Sequence, residues 1–415
     1  MHRQNLVRSR RRRRWFAAVL AVMLIALTLG LMNVVLRLVH VGPMASKPVA
    51  IDVQRDEGKT SNGPADARLK VTQPDKILGY KHLPGRFRVK LGDGYTFTMT
   101  HRQDTLRITQ PASSYKTVEL RPPLWIFGGS FTHGWSVNDE ATFPWRVQEA
   151  LRGFDVVNFG VSGYGQIQAI LQFGQAIRSR HLPKVVVVTY AHFHDQRNTF
   201  SRAYRKHTVA RMAADKRGTP FPFARISQDG RVKIDWRPAE FRGLMLLQWF
   251  APANYADQLL DRADERLIRS HDVSKALILE FDRRCREQGI ELVVAGITQE
   301  PATWDVLAFC VRHQIRQVDI SFDYGNPRYM NSPHDPSHPS PAGQRIFALR
   351  LVAYLKQHVL AAAPDKTAEL KGLGNGESDL PASRAIGSQP GVPSSISSRV
   401  SAFFGGGFPD PAPSR

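Results

Sequence analysis

The sequence predicts an α/β protein built on a five-stranded parallel sheet. Two observations carry that prediction: short apolar runs recur through the middle of the chain, and stretches of helical character separate them. The runs are LWIFG (124–128), DVVNFGV (155–161), KVVVVTYA (184–191), IELVVAGI (290–297) and QVDISF (317–322). Such unbroken apolar runs suit strands covered on both faces. Between them, FPWRVQEALRG, YGQIQAILQFGQAIRSR, SKALILEFDRRCREQG and PATWDVLAFCVRH read as crossover helices. The last helix opens at Ser340-Pro341, a capping hydroxyl followed by proline at the first helical position, and runs through GQRIFALRLVAYLKQHVL.

A membrane segment precedes this domain. Nine of the 57 Lys and Arg fall in residues 1–50, which hold no Asp or Glu, and seven of the nine come before Trp15. Trp15 to Met32 then carries no charge, and the stretch 15–37 is long enough to span a hydrocarbon core. Arginines ahead of it predict a cytoplasmic N-terminus (1–14), a signal anchor (15–37) and a translocated remainder, hence a single-pass inner (plasma) membrane protein facing the periplasm or exterior. A cleaved signal peptide and a twin-arginine export signal are the alternatives; the length of the run and the lack of an Ala-x-Ala site favour the anchor. The net charge of +21 would suit nucleic acid, but the densest basic block is accounted for by membrane orientation, so no nucleic-acid partner is expected.

Residues 38–67 are polar and read as a linker. A small β-rich segment (68–121) follows: RFRVKL alternates over 86–91, Gly92-Asp93-Gly94 supplies a turn, YTFTMT resumes the alternation, and DTLRITQ reads as a third strand. The main domain spans 122–362. Its alternation is interrupted by an insertion, 196–272, too long for a simple crossover, which reads as a lid or substrate-contacting element or else as a solvated decoration. The Pro-, Gly- and Ser-rich residues 363–415 read as a disordered tail. Cys285 and Cys310 are the only cysteines, too few for a disulfide framework or a metal site, and are expected to be buried on neighbouring helices.

The chemistry begins at Gly128-Gly129-Ser130, where the first run ends at the carboxyl edge of the sheet, the edge at which open α/β folds place their sites. A nucleophilic serine needs exposure, a base and donors for the oxyanion. The loop before the last helix, NSPHDPSHPSPAGQ, carries Asp335-Pro-Ser-His338 to the same edge, a spacing that lets the carboxylate hold the imidazole's tautomer. GGSFTHG lacks the GxGxxG and GxSxG spacings. The HFHD stretch at 192–195 has no further ligand at a characteristic spacing, so neither metal nor cofactor is expected.

GGSFTHGWSVND…TFPWRVQ, NFGVSGYG and DPSHPSPAGQ, in that order, resemble the SGNH (GDSL-type) hydrolase superfamily over roughly 122–361, in its membrane-anchored cell-envelope subgroup. The resemblance implies a flavodoxin-like three-layer sandwich with Ser130 as nucleophile, His338 as base and Asp335 as its orienter. It implies an oxyanion hole from the N–H groups of Ser130 and Gly163 (Gly160 being the alternative) and a side chain from the third motif. Gly129 stands where the family has Asp, and HFHD stands where it has GxND. That alignment puts His194 at the Asn position, with Asn198 as the alternative donor. His133 and His334 read as pocket lining, and His133, Asn198 and Arg197 as substrate contacts. The activity implied is a serine esterase acting on acyl, above all O-acetyl, esters of a cell-envelope polysaccharide, alongside polysaccharide-synthesis machinery. An O-acetyltransferase with the same triad and a non-catalytic glycan-binding protein on a hydrolase fold are the alternatives.

Overall fold

The structure, a computed structural model, describes residues 2–39, 51–55, 59–60, 71–117, 121–211, 218–241, 243 and 250–360. The chain divides into two units, one holding residues 1–49, 201–211 and 240–269, the other the rest. The first unit begins with α1 (His2–Leu38), whose Arg11–Leu38 portion is long and apolar enough to cross a membrane by length and composition.

In the second unit the β-rich segment comes first, with β1 (Ile51–Arg55), β2 (Lys59–Thr60), β3 (Thr72–Asp75), β4 (Gly79–His82), β5 (Gly85–Leu91) and β6 (Thr96–His101). The predicted alternation is realised in β5 and β6, which pair antiparallel with Val89 opposite Phe97 and Phe87 opposite Met99, all four buried. The linker reading of 38–67 is corrected in part, because β1 joins the other edge of β5 to give the order β2-β1-β5-β6. Val53 supplies its buried contact while Asp52 and Gln54 face away, so composition alone reads as linker. The remainder of 40–67 lies outside the described residues. DTLRITQ does not form the expected strand. After a tight turn closed by Thr105 N–H to Arg102 O (2.9 Å), Arg107 makes only isolated bridges, to His101 and Asn158.

The main domain continues with β7 (Pro123–Phe127), α2 (Ser130–His133), α3 (Phe143–Ala150), β8 (Asp155–Asn158), α4 (Gln166–Ala176), β9 (Val185–Tyr190) and α5 (His194–Thr199). The insertion holds α6 (Arg202–Arg211), the strands β10 (Pro220–Ile226) and β11 (Val232–Pro238), and α7 (Ala251–Ile268). Then come α8 (Ser270–Glu287), β12 (Glu291–Gly296), α9 (Pro301–Arg312), β13 (Arg316–Asp319), the short β14 (Met330–Asn331) and β15 (Asp335–Pro339), and α10 (Pro341–Leu355).

The five parallel strands lie in the order β8-β7-β9-β12-β13, the flavodoxin-like 2-1-3-4-5 arrangement. Because successive side chains point to opposite faces, one run feeds two cores. Trp125, Phe127, Val186, Val188 and Val294 pack with residues of α4, α8 and α9. Leu124, Ile126, Val185, Val187 and Val293 pack with residues of α3 and α10. The result is the three-layer sandwich expected. Cys285 and Cys310 sit in the first of these cores as free thiols, and burial pushes the Cys310 thiol up to about 12.

The insertion is shared between the units. Its hairpin belongs to the second, where Ala224 enters the core and Phe221 stacks on Phe200 at 5.0 Å. In the first unit, Arg202 of α6 binds Asp257 and Asp261 of α7, Lys206 Nζ lies 2.5 Å from Asp257 Oδ2, and Ala251 N–H donates to Asn33 Oδ1 of α1 at 3.1 Å. The predicted tail, 363–415, lies outside the described residues.

Candidate active site

Ser130 is the first residue of α2, separated from the end of β7 by Gly128 and Gly129. Space dictates the glycines before it. A Cβ at Gly128 would sit 2.1 Å from Thr189 Oγ1, and one at Gly129 would press on Arg197 Nη1 (2.9 Å), Tyr164 O (3.1 Å) and His194 Nε2 (3.2 Å). The departure from Asp at position 129 therefore follows from two bulky polar side chains occupying the space a side chain would need. The turn is held from several sides. Asn158 at the end of β8 donates from Nδ2 to Thr132 O (3.1 Å), and Gln344 of α10 donates from Nε2 to Phe131 O (3.0 Å) while accepting from Phe143 N–H (2.8 Å).

The base arrives on β15, just before α10. His338 Nε2 lies 3.0 Å from Ser130 Oγ, and His338 Nδ1 lies 2.9 Å from Asp335 Oδ2. Ser130 and Asp335 are buried and His338 is partly so. Residues 208 positions apart in sequence thus form a continuous hydroxyl–imidazole–carboxylate chain. Burial alone would raise the Asp335 pKa, but the charge and hydrogen bond of His338, with the Ser337 hydroxyl and N–H, hold it below the usual carboxylate value. Ser337, which the sequence did not single out, donates from Oγ to Asp335 Oδ1 at 2.6 Å and fixes the carboxylate's orientation. With Nδ1–H donated to Asp335, Nε2 presents its lone pair to the Ser130 hydroxyl, the arrangement a proton transfer from serine requires.

The HFHD stretch brings His194 beside Gly129, and its proton inventory can be followed bond by bond. Ile167 N–H must donate, so Asn198 Oδ1 (3.1 Å) accepts and Asn198 Nδ2 donates to Gln166 Oε1 (2.7 Å). Gln166 Nε2 then donates to His194 Nδ1 (3.0 Å), which also accepts from Ala191 N–H (3.2 Å). The proton of His194 is therefore on Nε2, a buried donor with no acceptor beside Gly129. Burial first, then the charges of Arg197 and His192, hold the His194 pKa well below the imidazole norm, so the ring is neutral. Gly163, the other expected donor, turns the chain at φ +88° and is partly exposed, with Tyr80 OH donating to the neighbouring Ser162 O at 2.5 Å.

Three sequence expectations are corrected here. Asn198 is not a spare donor or a substrate contact: both of its amide hydrogens' directions are taken, by Gln166 and by Ser274 Oγ (2.8 Å), and it is fully buried. His133 is turned into the interior rather than toward solvent. It is buried and lies 3.0 Å through Nε2 from His101 Nε2. His334 turns away to Asp93 (2.5 Å) and stacks on Tyr95. Arg197 is buried, donates to Tyr164 O (3.1 Å) and lies over the Phe193 ring at 4.5 Å, with Nη1 beside Gly129. Asp195 points away from Ser130's motif partners into a relay with Tyr190 OH (2.7 Å) and His271 (2.8 Å), the latter reaching Asp305 at 2.8 Å.

Sequence reasoning missed Arg107. Its buried guanidinium binds Asp139 (2.9 Å) and four carbonyls, those of His133 (2.9 Å), Gly134 (2.5 Å), Thr98 (3.1 Å) and Val137 (2.8 Å). It ties the β-rich segment to the loop that follows the nucleophile. The signal available was an arginine inside an apolar alternation, which reads equally well as a strand's solvent face.

The chain matches no protein-family model. No curated protein matches it either. Solved structures similar to it include a member of the lipolytic protein G-D-S-L family from Veillonella parvula, with 9% identity and a TM-score of 0.33 over 57% of this chain and 98% of that one. A GDSL-like lipase from Bacteroides thetaiotaomicron gives 13% identity and a TM-score of 0.31 over 60% of this chain and 97% of that one. TesA gives 13% identity and a TM-score of 0.34 over 56% of this chain and 98% of that one.

Proposed function

We propose that this protein is a serine esterase of the SGNH (GDSL) type, anchored in the inner membrane by residues 15–37 and acting on O-acyl, above all O-acetyl, esters of a cell-envelope polysaccharide outside the cytoplasm. The observation that carries the reading is the Ser130–His338–Asp335 chain at 3.0 and 2.9 Å. Ser130 Oγ attacks the ester carbonyl as its proton passes to His338 Nε2. Asp335 stabilises the imidazolium, which then protonates the departing alkoxide. Water, deprotonated by the same imidazole, attacks the acyl-enzyme, and collapse returns the carboxylic acid and free Ser130. Charge on the tetrahedral oxygen is met by the Ser130 and Gly163 N–H groups and by His194 Nε2–H. That last donor is reserved for this purpose by its neutral ring and its lack of a resting acceptor. The uncharged reach of α1 supports the membrane assignment, and the arginines ahead of it support an outward-facing catalytic domain.

The test is turnover of p-nitrophenyl acetate by the full-length protein in detergent, with Ser130→Ala beside the wild type. Release of nitrophenol that the variant loses supports the reading; equal rates for the two proteins sink it. Adding an oligosaccharide acceptor separates the outcomes further, since acetylated sugar in place of acetate would make the enzyme an O-acetyltransferase with the same triad.

A further inference from the structure

Three histidines with no part in the esterase chemistry meet in the interior of the second unit. His82 ends β4, His101 ends β6 and His133 ends α2, and each is 2% exposed or less. One nitrogen can be taken from each ring so that all three lie within 4.8 Å of one another. His82 stacks face to face on His101, with centroids 4.1 Å apart and planes within 8°, and its centroid lies 4.3 Å from that of His133, so ligation requires the His82 ring to turn out of this stack to aim its nitrogen at the shared point. Among the described residues no other group of three His, Cys, Asp or Glu has this arrangement.

The outer hydrogen bonds suit metal ligation. A ligating imidazole characteristically gives its second N–H to a carbonyl or other acceptor, which leaves the first nitrogen's lone pair for the ion. His101 Nδ1 lies 3.0 Å from Leu83 O, an atom that can only accept, so Nε2 carries the lone pair. His133 Nδ1 faces Ser162 Oγ at 3.4 Å, which leaves its Nε2 toward His101. The two Nε2 atoms are 3.0 Å apart. Two nitrogens bound tetrahedrally to zinc stand ~3.3 Å apart, given Zn–N bonds of about 2.0–2.1 Å, so rings at this spacing need to part by only a few tenths of an ångström. The nearby Arg107 charge opposes a cation, and its ion pair with Asp139 offsets that charge.

We propose that His82, His101 and His133 bind a zinc-class divalent cation, which staples the β-rich segment to the turn carrying Ser130. An all-imidazole set suits zinc and its late first-row neighbours over magnesium or calcium. Deep burial gives the ion a structural role, with its remaining position filled by a non-protein ligand. This departs from the sequence expectation of no metal, and it does not depend on the esterase reading.

The test uses the full-length protein in detergent, stripped with chelator and then offered zinc chloride alone, with bound zinc counted by elemental mass spectrometry after desalting. The expected result is one zinc per chain, a melting temperature raised by zinc, and affinity lowered at least about tenfold in His82→Gln and in His101→Gln. Wild-type protein that retains no zinc, or variants that retain as much as wild type, would overturn the proposal. Should the variants fail to fold, cobalt substituted into the wild type decides. Visible bands of tetrahedral, nitrogen-bound cobalt support the site, and their absence removes it.

Discussion

Replacing His194 by alanine removes one hydrogen-bond donor from beside the nucleophile, and the structure lets the cost be worked out in advance. The donor is Nε2–H, because Nδ1 already accepts from Gln166 and from Ala191 N–H. Loss of one such donor from an oxyanion hole lowers kcat by about 10²–10³, or roughly 2.7–4 kcal/mol of transition-state stabilisation. KM should change little, since the donor acts on charge that is absent from the bound ester. The substitution also leaves the buried Ala191 N–H without its acceptor, at about 1–3 kcal/mol in folding stability, while Gln166 Nε2 keeps Thr189 O at 2.8 Å. Kinetics must therefore be run well below the variant's melting temperature, with the active fraction titrated by a serine-directed phosphonate. His194→Asn, which restores an amide donor at the position, should recover part of kcat. If folded His194→Ala keeps kcat within about threefold of wild type, or loses only in KM, the oxyanion assignment is wrong and the motif serves packing alone.

Other expectations follow from the same atoms. Asp335→Asn should lower kcat by about 10⁴ with the fold intact, because an amide no longer secures the Nδ1–H tautomer of His338; steady-state kinetics with a melting curve checks both halves. Arg107→Met should cost about 3–5 kcal/mol in urea unfolding, since it strands Asp139 and several carbonyls in the interior. Gln344→Leu breaks the bonds to Phe131 O and Phe143 N–H, and each orphaned group should cost about 1–3 kcal/mol in the same assay. The hydrogen bond to Asp195 raises the His271 pKa against burial, with Asp305 adding to the rise and Lys275 opposing it. The folded state thus holds this proton more tightly than the unfolded one. Its contribution is complete below the ordinary imidazole pKa and fades as pH rises through the folded value, so His271→Gln should lower the melting temperature more at pH 6 than at pH 9.

The central sheet was legible because each strand is a continuous apolar run and each crossover has its own period. Asp335 and His338 were legible because their relation is local, three residues apart on one loop, and Ser130 because a strand ends beside it. The donor set was readable only in part. His194 and Asn198 are both polar residues four apart, and only the bond chain starting at Ile167 N–H tells the reserved donor from the saturated one. His133 was read as a substrate contact and Arg107 was missed because their partners, His101 and Asp139, come from segments more than thirty residues away, and no periodicity reports that meeting. The strand at Ile51–Arg55 escaped because its outward side chains are polar.

The attachment of the β-rich segment bears on where this chain can be cut. A fragment starting at Pro122 would retain every triad side chain and look complete on paper. It would nevertheless lose Arg107 from the carbonyl oxygens of His133, Gly134 and Val137, the Tyr80 hydroxyl from Ser162 O beside Gly163, and the Thr100 N–H from Asp139. The nucleophile's own loop would be left to relax into water. Separating the residues around Ser130 from the apolar helix α1 therefore calls for a cleavage point upstream of β1, where the chain still brings its own scaffolding along.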